Sequence, residues 1–156
     1  MDARRLRSKK RSGASSSKSQ PEPPVFFLDR SLGKTLIATA LRQAGALVHI
    51  HEDHFPQNAK DEDWLAQVGN NGWVVLTKDR RIRYRELELT ALLNAGVGAF
   101  ILTAGNLKGE EMARIFVKAL PAMNKFLTKH DRPFIANLTS SGSVSMLFSG
   151  DERKKP

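Results

Sequence analysis

Carboxylate side chains follow the apolar runs of this sequence, in positions where several of them could bind a divalent cation together. Asp29 comes directly after the run VFFL, and Asp79 comes two residues after the run WVVLT. Asp53 lies just beyond a third run, ALVHIH, and Asp61 and Glu62 open the segment DEDWLAQVGNNG. Carboxylates that are brought together repel one another unless a positive charge lies between them. Mg²⁺ and Mn²⁺ prefer such oxygen ligands, and an ion held in this way can activate water for the cleavage of a phosphodiester bond.

Basic residues lie beside two of these acids. The residues that could contact a polyanion such as nucleic acid are Arg30, Lys34, Lys78, Arg80, Arg81 and Arg83. Lysine and arginine side chains bind the phosphate groups of nucleic acids in a salt-dependent way. The pattern therefore predicts a site in which a metal ion and a track of positive charge act on the same phosphodiester backbone.

Alternating strands and helices must position these residues. Continuous apolar runs of strand length are typical of strands buried on both faces of a sheet. The predicted strands lie at 25–28, 46–51, 73–77 and 98–102, with 133–138 and 143–148 as a closing hairpin. The predicted helices, which rest on apolar residues at helical spacing, lie at 31–44, 61–69, 83–94 and 108–127. A kink is expected at Pro121, and HEDHFPQNAK is predicted to be a loop.

This alternation predicts an α/β fold, a three-layer α/β/α sandwich around a mostly parallel sheet. Parallel strands end at the same edge of a sheet, so the acids that follow them should meet there, where the strand order reverses. Asp61 is expected to cap the helix that follows it, and Gly69 is expected to end that helix.

Length and charge indicate one folded domain with basic ends. The chain has 156 residues and a formal net charge of +9, of which residues 1–24 carry +5. Residues 1–24 are predicted to be a disordered basic tail and proline-rich linker, residues 25–148 the folded domain, and residues 149–156 a charged tail. No apolar run is long enough to span a membrane, and the N-terminus lacks the apolar segment of a secretory signal. The absence of cysteine excludes disulfides and thiolate chemistry and is typical of a cytoplasmic protein.

Three stretches of the sequence together resemble a known family. They are FFLDRSLGKTLIATALRQAGALVHIHEDHFP, DEDWLAQVGNNGWVVLTKDRRIR and LLNAGVGAFIL. They resemble PIN-like domains, in the branch of VapC-type toxins and small Mut7-C-like nucleases, over residues 25–138. The combination of an acid after the first strand, a D-E-x-W helix start and a T-K-D-R segment carries the resemblance, because each feature alone is common.

The resemblance implies an α/β/α fold, an acidic cluster that binds Mg²⁺ or Mn²⁺, and ribonuclease activity. Asp29 matches the acid of the first strand, and Asp79 matches the acid of the T-x-D segment. Asp61, or its neighbour Glu62, matches the acid of the middle helix. The expected catalytic residues are thus Asp29, Asp61 and Asp79. The resemblance also implies an RNA substrate, an antitoxin protein as partner, and a possible homodimer.

One position departs from the family pattern. Relatives often carry T-R-D-R-D, and Arg81 stands where their second aspartate would be. The change removes a possible ligand for a second metal ion, which Asp53 could replace if its loop folded inward. An alternative function is therefore a nucleic-acid-binding or adaptor module with weak catalysis. A nuclease that acts on DNA is a third possibility, because metal-held phosphate chemistry is indifferent to the sugar.

Other motifs lead to weaker hypotheses. LGKT is similar to the end of a P-loop, but the glycine required five residues before Gly33 is replaced by Leu28. His49 and His51 could bind zinc from one face of a strand, although such histidines are more often part of a sheet or loop. Asp29 could be the phospho-acceptor of a receiver domain, but no paired acids precede it.

Overall fold

A computed structural model of the protein describes residues 23–150, the side chain of Arg83 excepted. A six-stranded sheet forms its centre. The strands are β1 (Val25–Leu28), β2 (Leu47–Ile50), β3 (Val74–Thr77), β4 (Gly98–Leu102), β5 (Phe134–Leu138) and β6 (Val144–Ser149). They lie in the order β2-β1-β3-β4-β5-β6, with β1 to β5 parallel and β6 antiparallel to β5. The strands predicted from the apolar runs, including the closing hairpin, are confirmed.

The order of the strands reverses beside β1. The chain passes from β1 to β2 on one side and then returns to β3 on the other side, so the carboxyl ends of β1 and β3 flank the reversal. In parallel α/β sheets, ligands bind in the crevice at such a reversal. Asp29 follows β1 directly and Asp79 follows β3 after one residue, so both acids lie at this crevice.

Helices cover both faces of the sheet. They are α1 (Leu36–Gln43), α2 (His51–His54), α3 (Asp61–Asn71), α4 (Glu86–Ala95) and α5 (Gly109–Lys129), the last continuous through Pro121. The helices α1 and α5 pack on the face that carries Phe26 and Phe100, whereas α3 and α4 pack on the face that carries Phe27 and Val75. Alternate residues of each strand therefore enter two separate apolar cores. The predicted three-layer α/β/α sandwich is confirmed.

Two helices begin later than predicted, because a turn capped by an aspartate precedes each of them. The 3₁₀ turn Arg30–Leu32, capped by Asp29, comes first, and α1 starts only at Leu36. A second 3₁₀ turn, capped by Asp79, precedes α4, which starts at Glu86. The apolar spacing located both helices, but Leu36 and Leu87, predicted to face the core, are exposed in their first turns. The aspartate oxygens accept backbone hydrogen bonds before each helix, and these bonds compete with the helix at its start.

The helix α3 differs from its prediction at both ends. Asp61 is its first residue, since Lys60 occupies the N-cap position, and Gly72 ends it with a left-handed backbone (φ 74°). Gly69 lies inside the helix where α3 meets α4, and a Cβ atom there would come within 2.4 Å of the Ala95 carbonyl oxygen. The glycine therefore allows α3 and α4 to approach closely. The segment predicted as a loop before α3 begins with the single turn of α2.

The predicted tails fall mostly outside the described residues. Residues 1–22 and 151–156 are not described, and the boundaries drawn at 24 and 149 stay predictions. The first strand begins at Val25, as predicted, and β6 ends at Ser149. Between residues 23 and 150, the structure contains no helix with the length and apolar character needed to cross a membrane.

Candidate active site

Donors from two loops hold Asp29 in one orientation. Its backbone amide donates to the Leu76 carbonyl of β3 (3.1 Å). Ser31 donates both its amide and its hydroxyl to Asp29 Oδ1 (2.8 and 2.5 Å). Thr77 donates its hydroxyl to Asp29 Oδ2 (2.5 Å). Both carboxylate oxygens are therefore engaged, and the residue is only 8% exposed.

Burial raises the pKa of the Asp29 carboxyl above its ordinary value. The hydrogen bonds from Ser31 and Thr77 oppose the rise because they favour the ionised form, and the negative charge of Asp79 adds to it. The acids that follow β1 and β3 are thus close enough to interact electrostatically. A cation bound near both would relieve the penalty on their charges.

Asp79 belongs to the same hydrogen-bond network. The Asp79 amide donates to the Thr77 hydroxyl (3.0 Å), and the Lys78 amide donates to the Ser31 hydroxyl (3.2 Å). Asp79 Oδ1 accepts the Arg81 amide (3.1 Å), which closes the 3₁₀ turn that follows. The hydroxyls of Ser31 and Thr77 thus connect the turn after β1 to the turn after β3.

Asp61 reaches the crevice from the first turn of α3. Arg30 Nη2 donates a hydrogen bond to Asp61 Oδ1 and forms an ion pair with it. Arg30 Nη1 donates to the carbonyl oxygens of Gln57 and Ala59 (2.6 and 3.1 Å). The Trp64 indole donates to the same Asp61 Oδ1 (2.8 Å). Arg30 therefore fastens the loop before α3 to the turn after β1.

One guanidinium lies among three carboxylates. Arg85, the residue just before α4, places its Nη1 3.2 Å from Glu88 Oε1, 3.5 Å from Asp79 Oδ2 and 3.8 Å from Asp61 Oδ2. These acids come from three different segments of the chain, and each is less than a quarter exposed. A single positive charge therefore stands where the three carboxylates converge.

Burial raises the pKa of Glu88 above its ordinary value. The hydrogen bond from Arg85 opposes this rise, whereas the neighbouring Asp61 adds to it through its charge and a side-chain hydrogen bond. Glu88 and Asp61 are thus a second pair of interacting acids, beside the pair Asp29 and Asp79. We call these four residues the acidic cluster.

A groove of basic side chains opens beside the acidic cluster. Lys78, Arg80 and Arg81 line it together with Ser31 and Asp79, and its volume is about 410 Å³. All three basic side chains are exposed, and Arg81 Nε lies 3.2 Å from Asp79 Oδ1. The structure thus brings three of the six predicted basic residues to this groove, and a fourth, Arg30, pairs with Asp61 at the crevice. Their role in nucleic-acid binding stays a prediction.

Other predicted residues are not brought into the acidic cluster. Asp53 is exposed on α2, and Glu62 is the second residue of α3. Neither makes a hydrogen bond or an ion pair with the acidic cluster among the residues described, so their role as ligands stays a prediction. Lys34 pairs with Glu52 (3.3 Å). The Arg83 side chain lies outside the described part of the structure.

His49 and His51 do not lie on one face of a strand, as a zinc site built from both of them would require. The strand β2 ends before His51, which is 2% exposed and packs among aromatic rings such as Trp64. His49 Nδ1 instead lies 3.0 Å from His54 Nε2, and the His49 ring stacks on Trp73. Within residues 23–150, no three histidine, aspartate or glutamate side chains are grouped so that they could hold a metal ion as they stand.

Comparison with known proteins identifies the family. A family model described as a PIN like domain matches residues 24–104, more than half of the chain. The chain belongs to the PIN-like domain family. A relative from Mycobacterium tuberculosis (strain ATCC 25618 / H37Rv), named "Putative ribonuclease VapC45", is 28% identical over 126 residues, which cover 78% of this chain and 91% of the relative. The resemblance to PIN-like and VapC-type proteins is thereby confirmed, while no solved structure matches the chain with significance.

The PIN-like family implies a divalent metal ion, and the acidic cluster fits one in the chemistry of its donors. The cluster offers four carboxylates at one crevice, and burial together with a second acid raises the pKa of two of them. Carboxylates held in this way are suitable ligands for Mg²⁺ or Mn²⁺. The positive partners of the cluster are the guanidinium groups of Arg30, Arg81 and Arg85. A metal ion would therefore take over carboxylate contacts that these arginines now make.

Four residues of the PIN-like site were absent from the sequence prediction: Ser31, Thr77, Arg85 and Glu88. Ser31 and Thr77 each lie two residues from an aspartate, the spacing at which short polar side chains and backbone amides form capped turns. Arg85 and Glu88 are three residues apart, the spacing at which side chains of opposite charge meet on a helix. Both signals were present in the sequence, but neither shows which distant acid the residues would contact.

Proposed function

We propose that this protein is a VapC-type ribonuclease that hydrolyses RNA phosphodiester bonds with the help of Mg²⁺ or Mn²⁺. The observation that carries the proposal is the position of Asp29 and Asp79 at the strand reversal, beside a groove lined by exposed basic residues. Arg85 links Asp79 to Asp61. The name of the mycobacterial relative supports RNA as the substrate. We further propose endonucleolytic cleavage, because the groove is open to solvent and no described residue closes it in a way that would admit only a chain end.

The acidic cluster would hold the metal ion, with Asp29, Asp61 and Asp79 as its central ligands and Glu88 beside them. A bound Mg²⁺ or Mn²⁺ supplies a water molecule of lowered pKa and offsets the charge of the phosphate oxygens. Ser31 and Thr77 hold both oxygens of Asp29 in place, so this carboxylate is oriented before any ligand arrives. Glu88, whose pKa is raised, holds a proton at its carboxyl more readily than an ordinary glutamate does.

The basic residues of the groove would bind the RNA backbone on the side of Asp79. Lys78 and Arg80 have no side-chain ion pair within residues 23–150, so binding a phosphate there breaks no existing contact. Arg81 pairs with Asp79 but stays 73% exposed, and a guanidinium can bind two phosphate oxygens at once. These contacts position the RNA without reading its sequence.

The physiological setting is also a proposal. The relative is named as a VapC protein, which supports a toxin restrained by an antitoxin protein, acting in the cytoplasm as a possible homodimer. The simplest check is whether the reading frame beside this gene encodes a small protein that forms a complex with this chain. Co-expression followed by size-exclusion chromatography with light scattering would show both the complex and the state of the chain alone. Separate elution of the two proteins would contradict the antitoxin assignment.

A second function is a nucleic-acid-binding or adaptor module with little catalysis. Two observations favour it: Arg81 replaces an acid of the family pattern, and Arg85 already neutralises three of the carboxylates that a metal ion would need. This hypothesis predicts RNA binding that survives the loss of Asp29 and Asp79, with no Mn²⁺-dependent turnover.

Cleavage of labelled RNA by the purified protein separates the two hypotheses. We expect cleavage with Mn²⁺ or Mg²⁺, none with EDTA, and a loss of at least about 100-fold in Asp29→Asn and Asp79→Asn. Asp63→Asn is the matched control, because it neutralises an exposed acid of α3 outside the acidic cluster. Equal activity of Asp29→Asn and the parent protein would refute the metal-site proposal. A parallel assay on single-stranded DNA tests whether the sugar matters.

A further inference from the structure

The exposed surface of α5 carries a row of positive charge outside the acidic cluster. Its members are Arg114, Lys118, Lys125 and Lys129, and all four are exposed. At about 3.6 residues per turn, their spacing places them within roughly 60° of one another around the helix axis. At about 1.5 Å per residue, the row is roughly 22 Å long. We call these four residues the α5 basic row.

None of the four cations of the α5 basic row forms an ion pair within the described residues, and the acids of α5, Glu110 and Glu111, both lie in its first turn. From Met112 to Lys129 the helix contains no aspartate or glutamate. Lys34 and Arg85, by contrast, are both paired with carboxylates. Like charges four residues apart destabilise a helix by a few tenths of a kcal/mol, about 0.2–0.5 per pair. A row of one sign therefore has a cost that a surface of mixed charges avoids.

The row begins at the edge of the sheet that carries the acidic cluster. A groove of about 310 Å³, lined among others by Gly109, Met112 and Ser31, connects the first turn of α5 to the turn after β1. Ser31 also lines the basic groove beside Asp79. Arg114 lies five residues beyond Gly109, about 8 Å along the helix axis. Arg114 faces away from this groove, so an extended chain that leaves the crevice past Ser31 reaches the amino end of the row by passing around the first turn of α5, which carries Glu110 and Glu111.

The far end of the row borders a second groove. This groove has a volume of about 330 Å³. It is lined by Lys125 and Lys129 of α5, by His130 just after the helix, and by Ser145 of β6. The row thus continues along the boundary between α5 and the hairpin of β5 and β6. Its two ends lie at opposite edges of the sheet, because α5 crosses from the end of β4 back to the start of β5.

We propose that the α5 basic row binds the phosphate backbone of the RNA whose scissile bond lies at the acidic cluster. The inference rests on the proposed function and adds a second contact surface to it. Lysine and arginine contacts to phosphates position a nucleic acid but carry no sequence information. The row therefore raises the affinity for RNA by a salt-dependent contribution, and leaves the choice of cleavage site to residues near the acidic cluster.

The chemistry of the row favours RNA over an acidic protein. Stable protein interfaces depend on buried aromatic or large apolar anchors. The exposed large apolar residues in the described structure are Leu36, Leu47, Tyr84 and Leu87, and none of them lies on α5. Phosphate binding needs no such anchor, because it is driven by charge and by the release of counterions. A row of flexible cations about 22 Å long matches an extended polyanion.

The test measures how RNA binding depends on salt. The Asp29→Asn protein keeps the RNA intact, and a fluorescent single-stranded RNA of about 20 nucleotides reports binding by anisotropy between roughly 50 and 200 mM NaCl in EDTA. For single strands, each phosphate contact contributes about −0.7 to the slope of log K against log salt. The slope of the fourfold variant R114Q/K118Q/K125Q/K129Q should therefore be about 2.8 smaller in magnitude than that of its parent. Across that range of salt, the parent should lose roughly 50-fold more affinity for RNA than the variant.

Matched variants separate charge from structure. K118R/K125R/K129R keeps the positive charge and should retain the slope. Lys125→Gln should lower the magnitude of the slope by about 0.7, whereas Arg42→Gln, which removes a cation from the last turn of α1, should leave it unchanged. Glutamine has a helix propensity close to that of lysine and arginine, so circular dichroism should show the same helix content in every variant.

A slope for the fourfold variant within about 0.7 of that of its parent would overturn the proposal. If the same variant also lost binding to poly-glutamate, the row would be a surface for an acidic protein. Cleavage by the chain with Asp29 intact is measured separately. If the chain with Asp29 cuts RNA but the fourfold variant binds RNA with an unchanged salt slope, only this inference is contradicted. If the chain with Asp29 fails to cut RNA, the proposed function is contradicted.

Discussion

Asp29→Asn should lower the stability of the protein at acid pH, and this loss should shrink as the pH rises. The folded protein raises the pKa of Asp29, mainly by burial, above the ordinary value of 3.8. The folded state therefore binds the proton more tightly than the unfolded state does, and its stability falls as the pH rises from the ordinary value through the raised one. Asparagine cannot ionise, so the variant does not lose this stability.

The hydrogen bonds of Asp29 set the size of the effect at acid pH. Asparagine keeps an oxygen for both donors of Ser31 but loses the acceptor that the Thr77 hydroxyl uses. That hydroxyl lies 3.3 Å from the Ser31 hydroxyl and can donate to it instead. The loss is therefore at most one net hydrogen bond, about 1 kcal/mol. For a chain of 156 residues this lowers the midpoint of thermal unfolding by about 2–4 °C.

Thermal unfolding of both proteins in EDTA, from about pH 4 to pH 8, measures the difference without any bound metal ion. We expect the Asp29→Asn variant to be the less stable protein at pH 4 and to gain on the parent as the pH rises. Asp29→Ala provides the contrast, because it leaves three donors without their acceptor and should lower stability at every pH, by about 1–3 kcal/mol. The reasoning would be refuted if the difference in unfolding temperature between Asp29→Asn and the parent did not change with pH. It would also be refuted if the variant became still less stable than the parent as the pH rises.

Two further predictions concern the arginine among the carboxylates and the close contact between α3 and α4. Arg85→Gln removes the cation shared by three acids, so it should lower the unfolding temperature in EDTA and tighten Mn²⁺ binding in calorimetry; weaker Mn²⁺ binding would mean that Arg85 supports the metal site. Gly69→Ala places a Cβ atom 2.4 Å from the Ala95 carbonyl oxygen, and overpacking of about 1–3 kcal/mol should lower the unfolding temperature by about 2–12 °C. Gly105→Ala is the control, since no atom lies within 4 Å of the added group, and a similar loss in both variants would exclude overpacking as the cause.

The sheet and the positions of two acids could be predicted because they follow from local patterns. An apolar run of four residues that ends in an aspartate indicates both a buried strand and the edge at which it ends. Asp29 and Asp79 meet because their strands are parallel neighbours, and the alternation of strands and helices predicts parallel strands. The sequence alone therefore predicts that these two acids share one crevice.

The rest of the acidic cluster depends on contacts between segments that are distant in the sequence. Asp61 is positioned by Arg30, thirty-one residues earlier in the chain, and by the loop carbonyls that the same guanidinium binds. Glu88 lies beside Asp61 because α3 and α4 pack against each other on the same face of the sheet. Helical spacing indicates which residues share a face of one helix, but it does not give the distance between two helices. Sequence reasoning proposed Asp61 from its place at the predicted sheet edge and from the family pattern, but it did not propose Glu88.

The same packing gives a physical account of Arg81, which departs from the family pattern. An aspartate at that position would add an acid to the turn after β3, whereas here a guanidinium there pairs with Asp79 and remains 73% exposed. Glu88 brings a fourth carboxylate to the crevice from α4, beside Asp61 and within 3.2 Å of Arg85. On the proposed function, the acidic cluster contains four acids even with Arg81 in the turn, while the rim of the groove has a cation for phosphate. The departure therefore does not by itself indicate a weakened catalyst.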